Sequence, residues 1–234
     1  MIQSFSGKEV KFMNFTPEHI SKMFDEISDR YDKLNNIISI GFDKHIKKIC
    51  INILNVTPEN KVIDLCTGTG DIAGLVYKKT EKITGVDFSG NMLRIAKIKY
   101  PQIQFLKSDV TNLPFKNESF DIATITYGLR NIPDKVKAIE EIHRILKPNG
   151  KILHLDFGDK NFAGKIFDIY VPILAKIFNT NIASYKYLVK SKQNFLTPEE
   201  IEKIFTENGF ELISKKYFMF KAIACQIFAK KTDE

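Results

Sequence analysis

With 234 residues, 44% of them hydrophobic and 27% charged, the chain has the composition of an ordinary globular domain, which excludes a disordered, fibrous or disulfide-dense protein. No run approaches the ~20 apolar residues of a membrane span, and Cys50, Cys66 and Cys225 stand far apart without C-x-x-C spacing, so they read as buried, reduced thiols in a cytoplasmic protein and no metal is expected. The net charge of +7 leaves an anionic partner open, but the lysines are spread along the chain in pairs, as on a solvated face.

In chain order, residues 1 to 15 show no clear period. Thr16-Pro17-Glu18 then caps a helix, with proline at the first position, where its missing N–H costs nothing. Ile20, Met23, Phe24, Ile27, Tyr31 and Leu34 recur at helical spacing and give it one apolar face, while Asp25, Glu26, Asp29 and Arg30 occupy the opposite side. A second helix is predicted over roughly Asp43 to Leu54, and Pro58 precedes the first strand.

Lys61 to Ala73 reads KVIDLCTGTGDIA. A short apolar run enters a turn at Gly68 and Gly70, where glycine permits positive φ and lets a ligand approach the backbone at the start of the next helix. Gly68 to Ala73 also satisfies the dinucleotide pattern G-x-G-x-x-A. Asp64 and Asp71, however, would repel a pyrophosphate and attract a sulfonium and an ammonium, as in S-adenosylmethionine. Asp87 ends the second strand, Lys82 to Val86, at the spacing of a ribose-binding acid. Asp109 follows a third strand, Gln104 to Leu106, where a carboxylate can accept from the adenine amino group.

The rest of the pattern alternates helix and strand. A helix over Asn91 to Tyr100, a fourth strand over Phe120 to Thr126, a helix opened by Pro133, and a turn at Lys147-Pro148-Asn149-Gly150 into a fifth strand, Lys151 to Phe157, predict a doubly wound parallel sheet. Between Phe162 and Leu188 large apolar residues fall on more than one face, as in a helical cap over a cleft or a membrane-contacting segment. Thr197-Pro198-Glu199-Glu200 is a capping box, and two last strands, about Glu211 to Phe220 and Ala222 to Ala229, close the sheet as a hairpin. The expected organisation is an N-terminal helical lid over 1–57 and a domain over 58–234 carrying the cap at about 160–194.

The segments YDKLNNIISIG, DLCTGTGDIA, DFSGNML, LPFKNESFDIATITYGLRN, RILKPNGKILHLDF and YKYL together resemble the quinone-biosynthesis C-methyltransferases, which act on demethylmenaquinol and in some bacteria on a ubiquinone precursor. GLRN together with YDKLN is the most specific part. Asp156 departs from the pattern, standing where the family usually has glutamate. The resemblance implies a class I methyltransferase fold with an antiparallel last strand and a prenylated hydroquinol substrate. It places the cofactor contacts on Thr69, Asp87, Asp109 with the Val110 N–H, and Thr126, beside Gly68, Gly70 and Asp64, with Tyr31 and Arg30 lidding the site. Arg130 is expected to stabilise a ring oxyanion and Asn131 to orient it. Transient contact with a membrane surface is expected, and monomer and homodimer stay open. A nucleic-acid methylase is the rival reading. It lacks support after the fourth strand, where TYGLRN stands in place of an [ND]-P-P-[YF] motif.

Overall fold

The computed structural model describes residues 41–159 and 182–232, with positions 22, 24, 25, 28, 32, 35, 36, 39, 168 and 169. The predicted helix start at Thr16, the contacts of Tyr31 and Arg30, and most of the expected cap lie outside the described residues.

Seven strands form one sheet in the order β3-β2-β1-β4-β5-β7-β6. Strands β1 (Val62–Leu65), β2 (Ile83–Asp87), β3 (Gln104–Lys107), β4 (Phe120–Thr126) and β5 (Leu146–Phe157) run parallel. Strands β6 (Phe210–Phe218) and β7 (Ile223–Lys230) add an antiparallel hairpin on β5. Helices α1 (Phe42–Ile53), α2 (Asp71–Tyr77), α3 (Gly90–Lys99), α4 (Lys135–Ile145), α5 (Ile182–Gln193) and α6 (Pro198–Glu207) alternate with the strands or flank them.

Both faces of the sheet are covered, so the central strands are buried on both sides rather than alternating between core and solvent. In β1 all four residues are buried. Ile63 and Leu65 join Ile125, Ile139, Ile142 and Phe228 on one side; Val62 joins Ile51, Val76, Ile122 and Leu155 on the other. The chain leaves β1 in one direction and β4 in the other, which opens a crevice at the carboxyl ends of the strands.

Two expected boundaries move. The turn at Lys147–Gly150 is a bulge inside β5, between the pairs Phe120–Leu146 and Ile122–Lys151, with Asn149 at φ 60°. Pro133 does not open its helix: Leu129–Asn131 forms a 3-10 turn, and Asp134 caps α4 by accepting from the Lys137 N–H at 3.0 Å. The capping box is formed as expected, with the Glu200 N–H donating to Thr197 Oγ1 at 3.2 Å and the Thr197 N–H to Glu200 Oε2 at 2.7 Å.

Candidate active site

A cavity of about 250 Å³ opens at the carboxyl ends of the strands, lined among others by Gly68, Asp87, Asp109, Val110, Thr126 and Asn131. Its polar wall is held by backbone. The Gly68 N–H donates to Asp87 Oδ2 at 2.8 Å and the Ser89 N–H to Oδ1 at 2.9 Å. Burial pushes the Asp87 carboxyl up, and these N–H bonds oppose that rise. Asp109 Oδ1 likewise accepts from the Thr111 N–H at 2.8 Å. Each oxygen so engaged keeps a second lone pair for a ligand hydroxyl or amine.

Gly68 sits at φ 57°, and a Cβ added there would meet nothing within 4 Å. The space before it is therefore available to a ligand lying along the backbone. Gly128 is required for the opposite reason: a Cβ would come 2.5 Å from that of Cys66, which packs beneath it.

Four expected site residues do not line the cavity. Asp64 lies under the glycine loop, 1% exposed, accepting from the hydroxyls of Thr67 at 2.6 Å and Thr124 at 2.7 Å. Burial pushes its pKa up to about 6 despite those bonds. The Thr69 hydroxyl turns away and donates to Asp32. Gly70, at φ 85°, packs against the rings of Tyr100 and Phe105, its Cβ position 3.0 and 3.1 Å from them. Arg130 is buried in an ion pair, its Nη1 donating to Asp156 Oδ1 at 2.9 Å and to the Tyr127 carbonyl at 2.7 Å. Its guanidinium carbon lies 5.1 Å from the centroid of Phe157 and 5.8 Å from that of Tyr127, close enough for cation–π attraction. Arg130 Nε and Asp156 Oδ2 are buried without a hydrogen-bond partner. Beside them the Tyr187 hydroxyl on α5 donates to Asn131 Oδ1 at 2.9 Å, tying the GLRN turn to that helix.

Sequence reasoning missed the way the N-terminal segment is held. Asp25, on the side read as polar and opposite the apolar face, accepts from the Ser89 hydroxyl and from the Asn91 N–H, the latter at 3.2 Å. Lys99 Nζ donates to Asp32 at 2.6 Å and to Asp71 at 2.7 Å. Burial draws the Lys99 pKa down, but these two carboxylates outweigh it and hold the ammonium above its ordinary value. Phe24 reaches the cavity wall. Asp25 from the polar side and Phe24 from the apolar face thus both meet the domain. The signal was the run of acids facing a lysine-rich chain.

The model of the ubiE/COQ5 methyltransferase family matches residues 12–231. The chain belongs to that family. It is 40% identical over 213 residues to the demethylmenaquinone methyltransferase of Thermotoga maritima, covering 87% of this chain and 93% of that one. To the enzyme of the same name from Lysinibacillus sphaericus it is 34% identical over 229 residues, covering 92% and 97%. Among solved structures, a methyltransferase from Thermotoga maritima described as a possible histamine N-methyltransferase superposes with a TM-score of 0.68 at 22% identity, over 92% of this chain and 100% of that one. The cyclase SpnF superposes with a TM-score of 0.67 at 14% identity, over 93% and 97%. These two likenesses establish the fold, a class I methyltransferase architecture that also serves other chemistry.

The site fits the methyl donor of this family on its own geometry. Asp87 at the end of β2 offers lone pairs toward a ribose diol, Asp109 and Val110 stand one strand further out for an adenine edge, and the open face of Gly68 admits a chain with no phosphate. A pyrophosphate would meet the acids Asp87 and Asp109 instead.

Proposed function

We propose that this protein methylates a ring carbon of demethylmenaquinol, using S-adenosylmethionine as donor, and that its natural substrate is prenylated and met at a membrane surface. The observation that carries the reading is the continuity of the acid-lined cavity with Asn131, whose neighbour Arg130 holds a buried guanidinium with an unpartnered Nε. Family membership and the names of the two relatives support the substrate class.

Bound along Gly68, Asp87 and Asp109, S-adenosylmethionine supplies an electrophilic methyl group on a positively charged sulfur. What the chain must supply is alignment and a nucleophilic carbon. A quinone ring is electron-poor, so the acceptor is the reduced hydroquinol, in which loss of a hydroxyl proton pushes electron density onto the adjacent carbon. The charge that builds on that oxygen calls for a fixed donor. Asn131, which lines the cavity and is held by Tyr187, meets the ring hydroxyl, and Arg130 behind it, fixed by Asp156 and the Tyr127 carbonyl, supplies positive charge from within the wall. The proton passes to water, since no histidine lines the cavity among the described residues.

The test is a methylation assay with a short-tail demethylmenaquinone analogue, with and without a reductant that keeps it as quinol. Product is expected only under reducing conditions. Arg130→Ala is expected to abolish turnover while S-adenosylmethionine binding by calorimetry persists; normal turnover in that variant would remove Arg130 from the reaction. Feeding a benzoquinol analogue beside the naphthoquinol one settles the ring preference.

A further inference from the structure

The hairpin between β6 and β7 carries large apolar residues where turn chemistry would favour small polar ones. Met219, Phe220 and Lys221 follow one another at φ 48°, 53° and 69°, a left-handed run that costs a non-glycine residue roughly 1–2 kcal/mol at each position and that Asn, Asp or Gly would relieve. Phe220 is nevertheless 92% exposed and Met219 44%. Of the other exposed apolar side chains among the described residues, Ile98 and Val136 stand singly on α3 and α4, Phe42 and Ile53 at the two ends of α1, and Ile213 on β6 itself.

The tip is firmly held. The Gly158 N–H donates to the Ala222 carbonyl and the Asp159 N–H to the Lys221 carbonyl, both at 2.8 Å. A Cβ at Gly158 would lie 2.2 Å from the Lys221 oxygen, so glycine is what lets β5 run against the turn. Phe218 and Phe157 both pair with Ile223, which puts the tip at the carboxyl edge of the sheet, the same edge at which the cavity opens.

Lysines flank the aromatics. Lys216 Nζ lies 5.7 Å from the centroid of Phe218, and Lys221 Nζ 5.3 Å from that of Tyr217. The acids near this flank are Glu199, which accepts from the Tyr217 hydroxyl at 3.0 Å, and Asp159, and Lys215 is taken up by Glu202 at 2.6 Å. Aromatic rings at the depth of the headgroups with lysine ammoniums above them, on a chain of net charge +7, suit an anionic bilayer.

We infer that the β6–β7 tip, with Phe220 and Met219 as its apolar point and Lys216 and Lys221 as its basic flank, docks this protein on an anionic lipid surface and presents the cavity mouth to it. This deepens the lipid-quinol reading and rests on it for its purpose, but docking can be measured without any turnover.

The test is co-sedimentation of the full chain with vesicles of phosphatidylcholine alone or mixed with phosphatidylglycerol. The wild type should bind the anionic vesicles and release in high salt. Phe220→Ser with Met219→Ser should weaken binding roughly tenfold or more, and Lys216→Gln with Lys221→Gln about fivefold per lysine, with melting temperatures unchanged. Equal binding to neutral vesicles, or full binding by the serine variant, overturns the proposal. So does a dimer in solution that Phe220→Ser disperses, since the tip would then cover a second copy. In turnover, the serine variant should keep its rate on a soluble short-tail quinol and lose it on a vesicle-borne one. If no quinol is methylated while vesicle binding still depends on the tip, the docking stands and the substrate reading falls.

Discussion

Replacing Asp64 by Asn tests whether the acid under the glycine loop is kept at the expense of stability. Asp64 is 1% exposed, and burial raises its pKa to about 6 from the 3.8 of a free aspartate. Between those values the folded chain holds a proton that the unfolded chain has released, so stability falls as pH rises through this window. The gap is worth roughly 3 kcal/mol once both states are ionised. About half of it, roughly 1.5 kcal/mol, is lost between pH 5 and pH 8. Asn cannot ionise, and it can still accept from one of the two threonine hydroxyls. Whatever the changed hydrogen bonds cost is independent of pH, so the slope is the signal. Denaturant melts of both proteins at pH 5 and pH 8 should show the variant gaining on the wild type by about 1.5 kcal/mol, or roughly 3–6 °C in Tm for a domain of this size. A gap between the two proteins that stays constant, or that moves in the wild type's favour as pH rises, would refute the reasoning, because it would mean that Asp64 is already ionised at pH 5.

Other expectations follow from the same geometry. Gly68→Ala should leave the melting temperature within a few degrees, since nothing lies within 4 Å of its Cβ, yet weaken S-adenosylmethionine binding by tenfold or more in calorimetry; Gly70→Ala, which meets Tyr100 and Phe105, should instead lower the melting temperature. Asp156→Asn leaves Arg130 buried without its counter-charge and should cost about 3–5 kcal/mol in a denaturant melt, with turnover falling further than donor affinity. Lys99→Met removes the cation between Asp32 and Asp71. It should speed proteolytic cleavage before residue 41 and weaken donor binding several-fold.

The parts of the fold written in local periodicity were legible. Short apolar runs ending in Asp87 or entering Gly68 could be read as buried strands with functional ends, and both residues stand at the cavity. Legibility failed where the outcome depends on partners distant in sequence. Nothing local marks Arg130 as the counter-ion of Asp156, 26 residues away on the neighbouring strand. The pairing arises because β4 and β5 run parallel in register, with Thr126 beside Leu155. The resemblance assigned Thr69 to the ligand, but its hydroxyl has a nearer acceptor in Asp32, 37 residues upstream. Asp25 was placed only as lying opposite the apolar face, because amphipathicity records burial and not docking through polar groups.

The two halves of the site are built from different materials, and this bears on how each can change. The donor half rests on backbone: Asp87 and Asp109 are fixed by main-chain N–H groups, and such bonds persist under most side-chain substitutions. The half around the GLRN turn rests on side chains, Arg130 on Asp156 and Asn131 on Tyr187, each reaching a different element. In the family glutamate usually stands where this chain has Asp156. The shorter acid still reaches Nη1 at 2.9 Å, but leaves its Oδ2 and Arg130 Nε without partners. Asp156→Glu therefore asks whether that half is adjustable. Were the longer carboxylate to engage both guanidinium nitrogens, the ion pair would become bidentate and stronger, and the charge of Arg130 would be more fully neutralised and act less on a ring oxygen in the cavity. The expected result is a higher melting temperature with a lower turnover rate and an unchanged affinity for S-adenosylmethionine, measured on one preparation. An increase in turnover would show that the charge of Arg130 does not act on the substrate.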